Sequence, residues 1–285
     1  MKPVWDDAHR EVLAERAAMW MDNGAIVLPV IPVELPAARW PQKNRRTGEP
    51  LVDKAGNPVA RFRGKAPSYW DAKGTPRLLQ RKSIADGTSA PPTREEVLQQ
   101  LRHPIEVGAA KEFGSPVGFA VMTTSELVVI DLDEPEQNER LRSLVGDKAL
   151  VEASPSGGLH VVVRPADGME SWAKPEGGHY KAWSFAAEEP SVGEVLAEGS
   201  ICLMAPTMRG DGASYRILQG TMPGEVETLG AMGIVASADK KTEGPPAESP
   251  TEGVSKKFCS LPESTVPALR SLLGKKARKL SLIHI

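Results

Sequence analysis

Cysteine is nearly missing from this chain: its 285 residues include two, Cys202 and Cys259. Cys202 sits in an apolar run and Cys259 in a polar one, with neither the pattern of a disulfide framework nor the spacing of a metal site. A disulfide-stapled scaffold and a zinc ribbon are both excluded. Long apolar runs are missing too. No stretch reaches the ~20 residues that a bilayer-spanning helix needs, and residues 1–20 (MKPVWDDAHREVLAERAAMW) form a charged amphipathic pattern without the apolar centre of a signal peptide. The expectation is a cytoplasmic protein with no membrane contact. An excess of charge of one sign is also absent. The formal net charge is −2, so the whole-chain balance does not announce a nucleic-acid binder. What remains is a chain long enough to bury one large core, or a core with an appendage.

The chemistry is concentrated in three segments. Residues 127–135 (LVVIDLDEP) are an apolar, β-branched run that ends in two aspartates two residues apart. Side chains of a strand alternate between faces, so Asp131 and Asp133 point the same way. Like charges that close repel and raise one carboxylate's pKa unless a cation sits between them. The spacing therefore suits a divalent metal with oxygen ligands. Residues 154–163 (SPSGGLHVVV) put the turn Ser156-Gly157-Gly158 ahead of a strand that carries His160. Glycines let a backbone approach a phosphate and offer amides as donors, and the strand fixes where His160 points. Residues 191–206 (SVGEVLAEGSICLMAP) set Glu194 among apolar residues and supply a third carboxylate.

Each motif has a plainer reading by itself. An Asp-x-Asp at a strand end often caps a turn or faces solvent, Ser-Gly-Gly is most often a tight turn, and a single His after it is an ordinary hydrogen-bonded residue. Glu194 alone is a solvated strand residue, and Lys65 a surface lysine. Short motifs gain weight as an ordered set.

In this order the segments resemble the catalytic core of the bifunctional DNA primase/polymerase (prim-pol) family, within the archaeo-eukaryotic primase superfamily. The likeness rests on an apolar strand ending in Asp-x-Asp, an SGGxH turn and strand, and an acidic residue ahead of an apolar strand that ends in proline. Residues 24–32 (GAIVLPVIP), Lys65-Ala66-Pro67, residues 117–120 (VGFA) and 212–216 (GASYR) extend it. The resemblance implies an α/β (α+β) fold, an RRM-like primase-polymerase core with an N-terminal α/β unit. It implies Asp131, Asp133 and Glu194 as catalytic ligands of Mg²⁺ or Mn²⁺. Ser156, Gly157, Gly158 and His160 would contact the incoming NTP or dNTP, with Lys65 as a further nucleotide contact. The activity implied is making or extending primers on a single-stranded DNA template by two-metal nucleotidyl transfer, in plasmid, phage or mobile-element replication. Two departures stand out. The family often has aspartate at the third acidic position, where this chain has Glu194, and the polar stretch 34–64 is longer than the family pattern.

Other classes use some of the same residues. A catalytically inactive RRM-like nucleic-acid-binding module would keep the fold and lose metal dependence, and another metal-dependent nucleic-acid enzyme, such as a nuclease, would also use Asp131 and Asp133. SGGLH disfavours an Asp-x-Asp glycosyltransferase, and the paired histidines and nucleophilic tyrosine of a replication-initiator nuclease are not found. Basic residues cluster from Arg39 to Arg81 with Trp40, Tyr69 and Trp70 interleaved. That pattern reads either as template contacts through phosphate pairing and base stacking or as a solvated loop around core tryptophans.

Periodicity and punctuation predict a helix over 6–23 and a strand-like run over 25–33. A helix opens at Thr93 with a Thr93/Glu96 capping box. Strands are expected at 117–122, 127–132, 149–153 and 159–164, with a short helix at 135–145 and an irregular loop over 171–190. A prim-pol catalytic domain over 1–235 is followed by a Lys, Glu, Gly, Pro and Ser-rich linker over 236–260, read as disordered. Residues 261–279 then hold a basic helix, 266–279, as the start of a missing C-terminal region. The resemblance implies a helicase or other replication module there. Residues 280–285 (LSLIHI) match the translation of a transposase adapter end used in sequencing libraries, so the expectation is a reading frame that runs into adapter.

Overall fold

Asp6 opens the first helix: its carboxylate accepts the His9 amide at 2.8 Å, and α1 (Asp7–Asp22) runs from there to Asn23, whose side-chain amide donates to the Met19 carbonyl. A computed structural model describes residues 5–44, 46–166, 180–196 and 198–237 of the chain. Residues 1–240 form one compact unit. The predicted linker beyond 237, the helix 266–279, Cys259 and residues 280–285 lie outside the described residues.

After α1 come β1 (Ile26–Val30), the short hairpin β2 (Ser68–Trp70) and β3 (Pro76–Leu78), and the helices α2 (Arg81–Ala85), α3 (Arg94–Arg102) and α4 (Gly108–Phe113). The α3 capping box forms in both directions, Glu96 amide to Thr93 hydroxyl and Thr93 amide to Glu96 carboxylate. Then follow β4 (Gly118–Met122), β5 (Val128–Leu132), α5 (Asn138–Val145), β6 (Leu150–Ala153) and β7 (Leu159–Pro165). The chain continues through β8 (Tyr180–Ser184), β9 (Gly193–Leu196), β10 (Ile201–Leu203), β11 (Arg216–Gln219), β12 (Glu225–Val226) and β13 (Val235–Ala236).

The strands make two main sheets. One has three strands in the order β1-β4-β10, all antiparallel. The other has eight, in the order β11-β6-β7-β5-β9-β8-β13, with β12 added parallel to β7. Both faces of the larger sheet are covered, which explains why β5 and β7 read as continuous apolar runs rather than alternating ones. Val129, Leu150 and Val162 on one face join a core with Leu13 and Trp20 of α1 and Phe119 of β4. Val128, Ile130 and Val161 on the other face join a second core with Leu141 and Val145 of α5. Helices and a small sheet on one side and a helix on the other give a mixed α/β architecture.

Three expectations change. Residues 180–184, read as part of an irregular loop, form β8, because Trp183 is fully buried against β5 and β9; residues 171–179 lie outside the described residues. The helix expected over 135–145 begins as a 3₁₀ turn at Pro135–Gln137. The long stretch 34–64, for which the sequence carried no structural expectation, forms an arm whose described residues are held together by backbone hydrogen bonds. Within it Gln42 donates to the Val59 carbonyl at 2.7 Å, Leu51 to Gln42 at 2.7 Å and Val59 to Leu51 at 2.8 Å, so three segments close on one another in a ring. Trp70 is buried and donates to the Pro116 carbonyl, which makes it a core tryptophan rather than a stacking platform.

Candidate active site

The central strand of the larger sheet sets the site. Asp131 of β5 is in register with His160 of β7 on one side and with Glu194 of β9 on the other. His160 is in turn in register with Glu152 of β6. Residues directly opposite across a ladder share a face, so Glu152, His160, Asp131 and Glu194 form one polar row, and Asp133 follows two residues after Asp131. The row lies on the face that packs against the three-stranded sheet, where the apolar core gives way to carboxylates.

The electrostatics show that the three predicted carboxylates feel one another. Burial pushes Asp131 up to about 7, reinforced by the charges of Asp133 and Glu194 and opposed by Lys65. Burial and then Asp133 also raise Glu194. Asp131 is kept in place from behind: the Trp183 indole N–H donates to its carbonyl at 3.0 Å. Gly193 permits that approach, since a Cβ there would run into the same carbonyl oxygen and crowd the indole.

His160 is more enclosed than a phosphate ligand should be. Its Nδ1 lies 3.1 Å from Cys202 Sγ, its ring stacks on Tyr215 with centroids 5.3 Å apart, and its Nε2 lies 3.5 Å from Asp131 Oδ1. Burial drives its pKa down to about 4. At neutral pH it is an uncharged imidazole, and its contact with Asp131 is not an ion pair.

Ser154–Gly158 closes as the tight turn that the sequence suggested. The Ser154 amide donates to the Gly158 carbonyl at 2.9 Å and the Gly157 amide to the Ser154 carbonyl at 3.0 Å. The Gly157 amide is thus already engaged, with Gly157 at φ +96°, a conformation that suits glycine. Gly158 presses on the Leu132 carbonyl, where any Cβ would collide. Its first role is to let the turn pack against the end of β5, beside Asp133. Ser156 is exposed, with its hydroxyl 3.1 Å from that of Ser154.

Lys65 is exposed and reaches the site electrostatically. Its charge acts on Asp131, and it lines a cavity of about 1080 Å³ together with Arg63, Lys111, Leu203, Arg209 and Tyr215. Tyr215 borders this cavity while covering His160, so the cavity adjoins the polar row.

Asp131, Asp133 and Glu194 present the hard oxygen donors that Mg²⁺ or Mn²⁺ takes, and a cation among them would relieve the repulsion that raises Asp131. The donor chemistry suits such an ion, but among the described residues no group of three or more Asp, Glu, His or Cys side chains is placed to hold one.

The family model for bifunctional DNA primase/polymerase, N-terminal, matches residues 20–250, which include every strand of both sheets. The chain belongs to the bifunctional DNA primase/polymerase family. No curated protein matches it. The prim-pol family is one of nucleotidyltransferase-type DNA primases and polymerases, with DNA and nucleotides as substrates and a general use of divalent metals. No helix among the described residues of this prim-pol domain is long and apolar enough to cross a membrane.

Sequence reasoning missed three parts of the site. Glu152 sits mid-strand in an unremarkable Leu-Val-Glu-Ala run, with no motif to mark it. Trp183 fell in a segment read as loop. Cys202 was legible as a buried strand cysteine, but its partner His160 lies forty-two positions away.

Proposed function

We propose that this prim-pol domain makes or extends primers on a single-stranded DNA template by nucleotidyl transfer from NTPs or dNTPs, in plasmid, phage or mobile-element replication. The observation that carries the reading is Asp131 on the central strand, in register between His160 and Glu194, with Asp133 two residues on.

In this reading Asp131, Asp133 and Glu194 hold Mg²⁺ or Mn²⁺. A bound divalent ion would acidify the primer's 3′-hydroxyl and stabilise the departing pyrophosphate. The chain's own residues do the positioning, which in phosphoryl chemistry is most of the work. Trp183 holds the Asp131 backbone from behind, and His160, clamped by Cys202 and Tyr215, keeps a neutral group against the Asp131 carboxyl. His160 then acts as a positioning residue rather than a cation on phosphate. Ser156 and the Gly158 end of the turn face the nucleotide at the tip of β5. Lys65 supplies the positive charge for the triphosphate from the cavity side. Partial burial of Asp131 and Glu194 keeps water low around the reacting groups and strengthens their interactions. A helicase or other replication module would act with this domain in a longer protein.

The test is primer synthesis and primer extension on single-stranded DNA with Mg²⁺ or Mn²⁺, comparing wild type with Asp131→Ala/Asp133→Ala. Product from wild type that disappears in the double variant is the expected outcome. That no three Asp, Glu, His or Cys side chains are placed to hold a metal ion among the described residues favours one second reading, a metal-independent nucleic-acid-binding module. DNA binding with no product from wild type in either metal would support that reading instead.

A further inference from the structure

The arm 34–64 holds seven Lys or Arg against three Asp or Glu, in a chain whose formal net charge is −2. Little of that positive charge is neutralised locally. Asp53 caps its own turn, accepting the Ala55 and Asn57 amides at 2.9 Å each. Arg39 is occupied, paired with Glu112 at 2.6 Å and lying over Trp40. Lys43, Arg46, Lys54 and Arg61 are exposed, and among the described residues none has an ion-pair partner.

The arm is also held in a defined place relative to the site. Its ring of backbone hydrogen bonds gives it shape, and its root is fixed where Glu34 bridges to Arg63. At that root Gly64, at φ +76°, packs on the Pro32 carbonyl, which also accepts the Gly210 amide at 3.2 Å. Arg63 and Lys65 therefore carry the basic character of the arm into the cavity, which Lys111 also lines; its acids are Glu34, Glu112, already paired with Arg39, and Asp211, paired with Arg209 at 2.8 Å, and Lys65 reaches the charge of Asp131. Trp40 packs edge-on to Phe113, so the arm's chemistry is phosphate pairing rather than base stacking.

We propose that the arm 34–64 is a docking surface for the phosphate backbone of single-stranded DNA and leads the strand along the cavity towards the carboxylates. The identity of the partner rests on the template-copying reading above. Contacts of this kind carry no sequence information and are strongly dependent on salt.

The test uses the full chain and a labelled oligothymidylate, with binding read by fluorescence anisotropy over a range of salt concentrations. The variants are Lys43→Glu/Arg46→Glu/Lys54→Glu/Arg61→Glu and the same four positions changed to Gln. Both sets should melt close to wild type, since the side chains are exposed and have no ion-pair partners among the described residues; Arg61 alone has a ring contact, at 5.8 Å over Phe62. Affinity should fall by at least about tenfold, and the slope of log K against log salt should shrink by ~0.7 for each phosphate that the variant no longer neutralises. If the Glu set fails to fold, the Gln set decides. Affinity and slope equal to wild type in a variant that melts normally would overturn the proposal, as would a wild type that does not bind the oligonucleotide. Arm-dependent binding with no primer product from wild type would leave the arm standing and count against the template-copying reading alone.

Discussion

Glu152 is the residue whose surroundings are least expected. It is fully buried at the end of the polar row, its Oε2 accepts the Ala205 amide at 2.9 Å, and its Oε1 has no hydrogen-bond partner among the described residues. Arg16 lies near enough to act on it, yet the Arg16 Nε and Nη2 are likewise without partners there. Burial dominates and lifts Glu152 to about 7, against the pull of the Ala205 amide and Arg16. The folded state thus holds this proton more tightly than the unfolded chain. The stability that follows is complete below the unfolded value of 4.5 and is lost as pH rises towards about 7. A displacement of that size is worth on the order of 3 kcal/mol. Glu152→Gln keeps an acceptor for Ala205 and removes the ionisation. Its melting temperature relative to wild type should therefore be higher at pH 8 than at pH 5. A difference that does not change with pH would show that Glu152 is not buried as a neutral acid.

At the scale of elements, β5 and β9 meet through a glycine. Gly193→Ala puts a methyl group against the Asp131 carbonyl and the Trp183 indole. The expected cost is about 1–3 kcal/mol in urea unfolding, as for other overpacked interiors. Primer synthesis should fall further than that stability loss explains, because the shift is delivered to Asp131 itself. Most elements were legible because their signals are local. Asp6 and the Thr93/Glu96 pair mark helix starts, and the runs ending at Leu132 and starting at Leu159 are too apolar and β-branched for anything but buried strands. The arm and β8 were not legible. The arm is closed by backbone hydrogen bonds of Gln42, Leu51 and Val59, spaced among prolines, glycines and polar residues that leave no hydrophobic period, and β8 is a strand because of what Trp183 packs against. The site divides in the same way. Asp131 and Asp133 declare themselves by spacing, whereas the low pKa of His160 comes first from its burial, which only the folded chain supplies.

For the whole described molecule, one core joins the N-terminal elements to the larger sheet. Leu13 and Trp20 of α1, Val97 and Leu101 of α3 and Phe119 of β4 share it with Val129, Leu150 and Val162. A shared core of this kind couples the parts into one cooperative unit. Thermal unfolding followed by far-UV and by near-UV circular dichroism should therefore give coincident transitions. The buried Trp20, Trp70 and Trp183 make the near-UV signal sensitive to both sides of the sheet. An early near-UV step would mean that the N-terminal part melts separately from the sheet that bears the carboxylates.

The register of β5 has a consequence for quality control in the cell. Because its side chains alternate, a slip of one residue against β7 and β9 would turn Asp131 and Asp133 into the core beneath α5 and Val128 and Ile130 towards the face that carries the polar row. Such a chain would bury carboxylates without partners, at a cost of several kcal/mol, and would remain unfolded long enough for proteases to remove it. The sheet thus admits no half-aligned form: the error that would misplace the carboxylates would also leave the chain unfolded and open to proteolysis.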